Sequence, residues 1–155
     1  MVYQSLLQNN FNNNKNIVNS WVLCLLKILI KKGKKLKYIN IVNKIIYKVL
    51  KFNNNLEFFF SILTKNMFLP LNLKMRYVAG RKVLIPFKIK KSQEIMFILR
   101  FIFKSINNRS ESLLEDKVYN EFISIFNNEG LSIKLKLQFC KTIKENIANL
   151  RYLKY

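Results

Sequence analysis

Leu71-Asn72-Leu73-Lys74-Met75-Arg76-Tyr77-Val78-Ala79-Gly80-Arg81-Lys82-Val83-Leu84-Ile85-Pro86-Phe87-Lys88-Ile89-Lys90 is the stretch where the hydrophobic period of the chain changes to two. Leu71, Leu73, Met75 and Tyr77 alternate with Asn72, Lys74, Arg76 and Val78. After Ala79-Gly80-Arg81, Val83, Ile85, Phe87 and Ile89 alternate with Lys82, Leu84, Pro86, Lys88 and Lys90. Successive strand residues point to opposite faces, so two such runs around a glycine-containing turn predict a β-hairpin. The alternation predicts one apolar face and one basic face, the latter carrying Lys74, Arg76, Lys82, Lys88 and Lys90. Pro86 has no N–H for a ladder and belongs on an edge, which either strand of a two-stranded hairpin provides.

On both sides of the hairpin the period is helical. A first helix runs from about Ile17 through Trp21 and Leu25 to Ile28 and Leu29, stopping at Lys31-Lys32-Gly33-Lys34-Lys35. Gly33 suits the left-handed conformation that ends a helix, and lysines suit the negative end of its dipole. Tyr38, Ile41, Val42, Ile45, Ile46, Val49 and Leu50 form a single stripe, with Lys37, Lys44, Lys48 and Lys51 off it, facing water or a ligand. Asn53-Asn54-Asn55 breaks that helix. The next, Leu56 to about Asn66, turns Leu56, Phe59, Phe60 and Leu63 inward. Beyond the hairpin, Ile95, Ile98, Leu99, Ile102, Phe103 and Ile106 mark a fourth helix, closed by Asn107-Asn108-Arg109-Ser110. Ser112 and Glu115 have capping-box spacing for a fifth, with Leu114, Val118, Phe122, Ile125 and Phe126 inside and Asn127-Asn128-Glu129-Gly130 ending it. Leu135, Phe139, Ile143, Ile147 and Leu150 predict one final helix. The expected fold is mainly α: a single domain over residues 17–155 with about six helices and one protruding β-hairpin at about 71–90, preceded by an Asn-rich arm over 1–16.

Charge narrows the function. The chain has 155 residues, 28 Lys plus Arg against 8 Asp plus Glu, and a formal net charge of +20. Self-repulsion on that scale is relieved by a polyanion, and nucleic acid is the commonest one. Half of the residues are apolar, enough for a real core rather than a basic tail. Catalysis is a poor fit. There is no histidine, no glycine-rich phosphate loop and no metal-ligand cluster, so no enzyme, cofactor or metal is expected. Cys24 and Cys140 lie far apart in sequence and read as free buried thiols. No stretch matches the roughly 20 apolar residues of a membrane span. The wealth of Asn, Lys, Ile and Phe suggests an A+T-rich, commonly organellar, genome. The start lacks the arginines of a transit peptide, so an organellar protein is expected to be made in place.

The order of these elements resembles the small ribosomal subunit protein family uS-seven. Matching stretches are Leu29-Ile30-Lys31-Lys32-Gly33-Lys34-Lys35, Leu56-Glu57-Phe58-Phe59, Lys74-Met75-Arg76-Tyr77-Val78-Ala79-Gly80 and Ile85-Pro86-Phe87. Leu99-Arg100-Phe101 is similar to the family's Ile-Arg-Trp, and Asn127-Asn128-Glu129-Gly130 stands at the expected place. The likeness spans about residues 17–155. The chain departs from the family at Ala79, where glycine is usual, at Met75 and Tyr77, at Tyr152 and Tyr155, and in lacking a basic N-terminal arm. A divergent, organelle-encoded member fits this pattern.

The resemblance implies a structural protein that binds the 3′ domain of small-subunit rRNA and helps assemble the subunit head. Its hairpin would lie near the exit-site tRNA and mRNA path, with neighbouring head proteins as partners and no homo-oligomer. The expected RNA contacts are Lys31, Lys32, Lys34, Lys35, Lys74, Arg76, Arg81, Lys82 and Arg100. Lysines address phosphates at any sequence, whereas the scarcer arginines can also stack on a base or fork onto a phosphate. Each has a plainer reading: a solvated helix end for the Lys31–Lys35 cluster, an ion pair with Glu145 for Arg100. The expected compartment is the mitochondrion, with the plastid second. The alternative is a basic, membrane-peripheral helical protein, although lipid binding asks for no basic hairpin.

Overall fold

The computed structural model describes residues 16–30, 33–78 and 80–154. The arm up to residue 15, Lys31, Lys32, Ala79 and Tyr155 lie outside the described residues. Among the described residues three helices precede the hairpin: α1 (Asn16–Leu29), α2 (Lys35–Phe52) and α3 (Leu56–Met67). The hairpin follows as β1 (Leu71–Val78) and β2 (Arg81–Lys88), then α4 (Lys91–Ile106), α5 (Leu114–Phe126), α6 (Leu131–Glu145) and a 3-10 helix (Ile147–Lys154). The fold is mainly α with one antiparallel hairpin.

The helical stripes meet in one core. Trp21 and Leu25 of α1, Val42, Ile45 and Val49 of α2, Phe59, Phe60 and Leu63 of α3, Ile98, Leu99 and Ile102 of α4, and Val118, Phe122 and Ile125 of α5 are all buried together. Trp21 stacks on Phe60 with ring centroids 5.2 Å apart and meets Phe122 edge-on at 6.1 Å. Its Nε1–H donates to Thr64 Oγ1 at 3.1 Å, so the indole is buried without leaving a donor unpaired. Of the Phe58-Phe59-Phe60 run, Phe59 and Phe60 are core while Phe58 is exposed. Leu50, expected on the buried stripe of α2, is on the exposed side.

Helix ends follow local chemistry. Asn55 caps α3 by accepting from the Phe58 N–H at 3.1 Å. Gly33 has φ +72°, as a helix-ending glycine requires. The Ser112–Glu115 capping box does not form. Leu113 is the N-cap of α5, without a side-chain cap, because Glu115 turns instead to Lys44 and Lys48 of α2. After α5, Asn128 (φ 60°) and Gly130 (φ 98°) reverse the chain, and the Glu129 N–H reaches back to the Ser124 carbonyl at 2.7 Å. A Cβ on Gly130 would lie 3.0 Å from the Ser124 Cβ, so both conformation and space disfavour other residues.

The final helix is shorter than its periodicity predicts. α6 stops at Glu145, where the Asn146 side chain donates to the Thr142 carbonyl at 2.8 Å. The chain then tightens into the 3-10 helix, and Ile147 and Leu150 are exposed instead of extending the buried stripe. Asn149 Nδ2 donates to the Leu84 carbonyl at 3.0 Å, joining the 3-10 helix to β2. The outer edge of β2 is thus covered, and both Ile85 and Pro86 are buried.

Candidate nucleic-acid interface

The hairpin register rearranges its charges. Leu71 pairs with Lys88, Leu73 with Pro86, Met75 with Leu84, Tyr77 with Lys82 and Val78 with Arg81. Arg81 therefore belongs to the strand, leaving only Ala79 and Gly80 between the strands. Cross-strand partners share a face. One face carries Asn72, Lys74, Arg76, Val78, Arg81, Val83, Ile85 and Phe87; the other carries Leu71, Leu73, Met75, Tyr77, Lys82, Leu84, Pro86 and Lys88. The expected division into an apolar and a basic face does not hold. A turn of three residues would have matched the two apolar sets; a turn of two sets each against the other strand's polar set. Lys90 lies beyond β2, as the N-cap of α4.

The remaining predicted contacts are dispersed. Lys74 is exposed directly across from Ile85, while Arg76 is half-buried across from Val83. Arg81 and Lys82 are exposed beside the turn, and Lys82 Nζ lies 5.8 Å from the Tyr77 ring centroid. Lys34 and Lys35 are exposed at the start of α2, whose first turn has no acidic residue and whose N-cap, Lys34, makes no side-chain cap. Cations at the positive end of a helix dipole are unfavourable alone and favour a bound anion. Arg100 is exposed on α4 and makes no ion pair among the described residues, so its plainer reading, a pair with an acid such as Glu145, is not realised. These groups stand at separate places in the fold rather than in one pocket.

Acids of α5 engage two further cations. Lys44 contacts Glu115 at 3.3 Å, and Lys48 contacts Glu115 at 3.7 Å and hydrogen-bonds Asp116. The bond to Asp116 raises the Lys48 pKa above its ordinary value despite the opposing effect of burial. Lys44 faces water as its spacing predicts while also touching α5, whereas Lys48 is half-buried against α5. Lys136 is half-buried too, donating to the Asn66 carbonyl at 2.6 Å.

A buried polar cluster also joins α4, α5 and α6. Glu121 is 1% exposed; Arg109 Nε donates to its Oε2 at 2.6 Å, and the Ser132 N–H donates to its Oε1 at 3.2 Å. Ser132 Oγ also donates to Oε1 and lies 2.8 Å from Ser105 Oγ. Arg109 further donates to Glu111 at 3.0 Å and Ser124 at 2.9 Å. Burial works to raise the Glu121 carboxyl, but the Ser105, Ser132 and Arg109 hydrogen bonds outweigh it and hold it below the usual carboxylate range. Arg109 lies in the turn after α4, as its sequence context predicts, but its pairing has no local signal beyond a lone acid near the apolar stripe of α5 and a serine at the start of α6.

Several further features bear on the function class. Both cysteines are free and partly buried; burial raises the Cys24 thiol above its ordinary pKa, against the lowering effect of Lys27. Among the described residues no helix is long and apolar enough to cross a membrane, and no group of three or more His, Cys, Asp or Glu side chains is placed to hold a metal.

Comparison with known proteins agrees with this geometry. The family described as Ribosomal protein S7p/S5e matches residues 3–146, beginning inside the Asn-rich segment. The chain is 29% identical over 135 residues to small ribosomal subunit protein uS7 of Mycoplasma genitalium, covering 84% of each chain. With the uS7 protein of Geobacter metallireducens it is 27% identical over 82 residues, about half the length of either chain (53%). With that of Mycoplasmoides gallisepticum it is 29% identical over 89 residues, 57% of each. A match across almost the whole helical domain and its hairpin places the chain in the ribosomal protein S7p/S5e family.

Proposed function

We propose that the chain is a non-enzymatic structural constituent of the small ribosomal subunit that binds the 3′ domain of its rRNA and helps assemble the head. The observation that carries this reading is the surplus of exposed cations left after the ion pairs are made. Among the described residues, four of the eight acids, Glu111, Glu115, Asp116 and Glu121, are taken up at α5 and the segment before it by Lys44, Lys48 and Arg109. Lys34, Lys35, Lys74, Arg81, Lys82 and Arg100 stand exposed elsewhere, disposed for phosphates spread over an irregular surface. Lys31 and Lys32 adjoin Lys34 and Lys35 in sequence and belong to the same proposed contact. Neighbouring head proteins complete the partner set, the chain acts as a single copy, and the hairpin tip meets exit-site tRNA and mRNA transiently.

The A+T-biased composition supports a mitochondrial ribosome, with a plastid ribosome as the second reading, although the relatives compared above are bacterial. Sedimentation of the native complex tests both levels. The chain is expected to cosediment with small subunits, to leave them after nuclease treatment, and to crosslink to 3′-domain rRNA through the named residues. Cofractionation with anionic lipid vesicles instead of subunits would overturn the proposal.

A further inference from the structure

We propose that the Lys74/Arg76 face of the hairpin holds one unpaired nucleotide, with its base against Phe87 over an Ile85 floor and its phosphate on Lys74 and Arg76. The inference rests on the RNA-binding reading above and specifies which form of RNA this part of the surface takes. Lys74, Arg76, Ile85 and Phe87 line a cleft of about 430 Å³. That volume is within the range of small-ligand sites and suits one nucleotide rather than the side of a duplex. The register creates it: Lys74 lies directly across from Ile85, and Phe87 is its diagonal neighbour on the same face. Two cations therefore stand beside apolar surface instead of opposite it.

The composition of the cleft selects its ligand. Ile85 is 1% exposed and closes the cleft beneath, so the apolar surface open to a ligand is the half-buried Phe87 ring. A site for backbone alone needs no such ring, and a duplex keeps its bases stacked inside and presents phosphate and sugar to a protein. An unpaired base offers a π-face for the Phe87 ring and carries a phosphate within reach of Lys74. Base stacking on aromatic side chains tolerates any sequence. The Arg76 guanidinium can fork onto that phosphate or lie flat against the base. The site takes single-stranded RNA without sequence preference.

The test measures binding of the full chain to a short single-stranded RNA and to an RNA duplex of equal length. Phe87→Leu is expected to weaken single-strand binding about 10-fold while leaving duplex binding and the salt slope unchanged. Phe87→Trp should keep wild-type affinity, and Lys74→Ala should reduce the single-strand salt slope by about 0.7. Equal losses on both RNAs, no loss with Phe87→Leu, or equal competition by polyglutamate would each overturn the nucleotide site. If the wild-type chain binds neither RNA, the RNA-binding reading itself fails, which is a separate outcome. Should Phe87→Leu not fold, photocrosslinking of the wild-type chain to a 5-iodouridine single strand decides: crosslinks within residues 74–87 support the site, and crosslinks only elsewhere overturn it.

Discussion

Arg109 Nε donates to Glu121 Oε2 at 2.6 Å, across a seam where the end of α4, the middle of α5 and the start of α6 converge. The carboxylate is 1% exposed and the guanidinium side chain 23%, so water screens the pair little. Removing one partner of such a pair leaves the other charge desolvated. Arg109→Ala is expected to destabilise the protein by about 3 kcal/mol, the lower end for a buried pair because Arg109 keeps some solvent contact. Arg109→Ala with Glu121→Ala should cost less than the sum of the single changes. Urea midpoints of the three variants check this; strictly additive losses would sink the coupling.

The same pair sets a pH dependence. The Glu121 pKa in the fold lies below its ordinary value of 4.5, so the unfolded chain binds more protons in that range. The stabilisation is fully present above about pH 4.5 and is lost as pH falls through the depressed value. Glu111, held low chiefly by the Asn120 hydrogen bond and also by Arg109, acts in the same sense. Wild type is expected to lose stability steeply below pH 4.5, and Glu121→Gln to be weaker at neutral pH with a flatter acid limb. Parallel acid limbs for the two proteins would contradict the assignment.

Gly130 should resist substitution. Its φ of 98° is strained for any L side chain, and an added Cβ would press on Ser124, which itself donates to the Asn120 carbonyl. Gly130→Ala is expected to cost more than about 1 kcal/mol, since the native conformation is incompatible with a side chain. By contrast, Gly33→Ala meets no neighbour within 4 Å and carries only the conformational penalty. Comparing the two thermal midpoints separates crowding from backbone strain.

Most of the fold was legible because one physical signal, apolar periodicity, dominates helices that pack on a common core. The stripe through Val42, Ile45 and Val49 and the inward set Phe59, Phe60 and Leu63 are buried where their spacing puts them. Pairing between separate elements was not legible. Glu115 has the spacing of a capping box, but the lysines that draw it away come from α2 and are remote in sequence. The same holds for Lys48 and for Arg109 with Glu121, whose pairing is set by tertiary packing. The hairpin's existence could be read from its alternation, whereas its faces depended on one residue of turn length that alternation does not report. Candidate contacts on the exposed surface were legible from charge, and their separation into a helix-end cluster, a hairpin and Arg100 became visible only in the fold.

That separation predicts a division of labour between the basic clusters. Lys34 and Lys35 open α2, which is held by buried Val42, Ile45 and Val49, so they present charge from a fixed position. Arg81 and Lys82 sit beside the hairpin turn, exposed, with Tyr77 70% exposed next to them, while the hairpin base is held by the 3-10 helix. A fixed cluster suits an anchor on rRNA, and an exposed tip suits a ligand that comes and goes. Changing Lys34 and Lys35 together to Ala is expected to weaken assembly into the subunit. It should also lower the slope of log affinity against log salt by up to about 1.8, if both lysines neutralise phosphates. Changing Arg81 and Lys82 to Ala should spare assembly and reduce exit-site tRNA occupancy. Subunit assembly and tRNA occupancy are measured separately for each variant. A hairpin variant that fails to assemble, beside a Lys34/Lys35 variant that assembles normally, would reverse the assignment and make the hairpin the clamp.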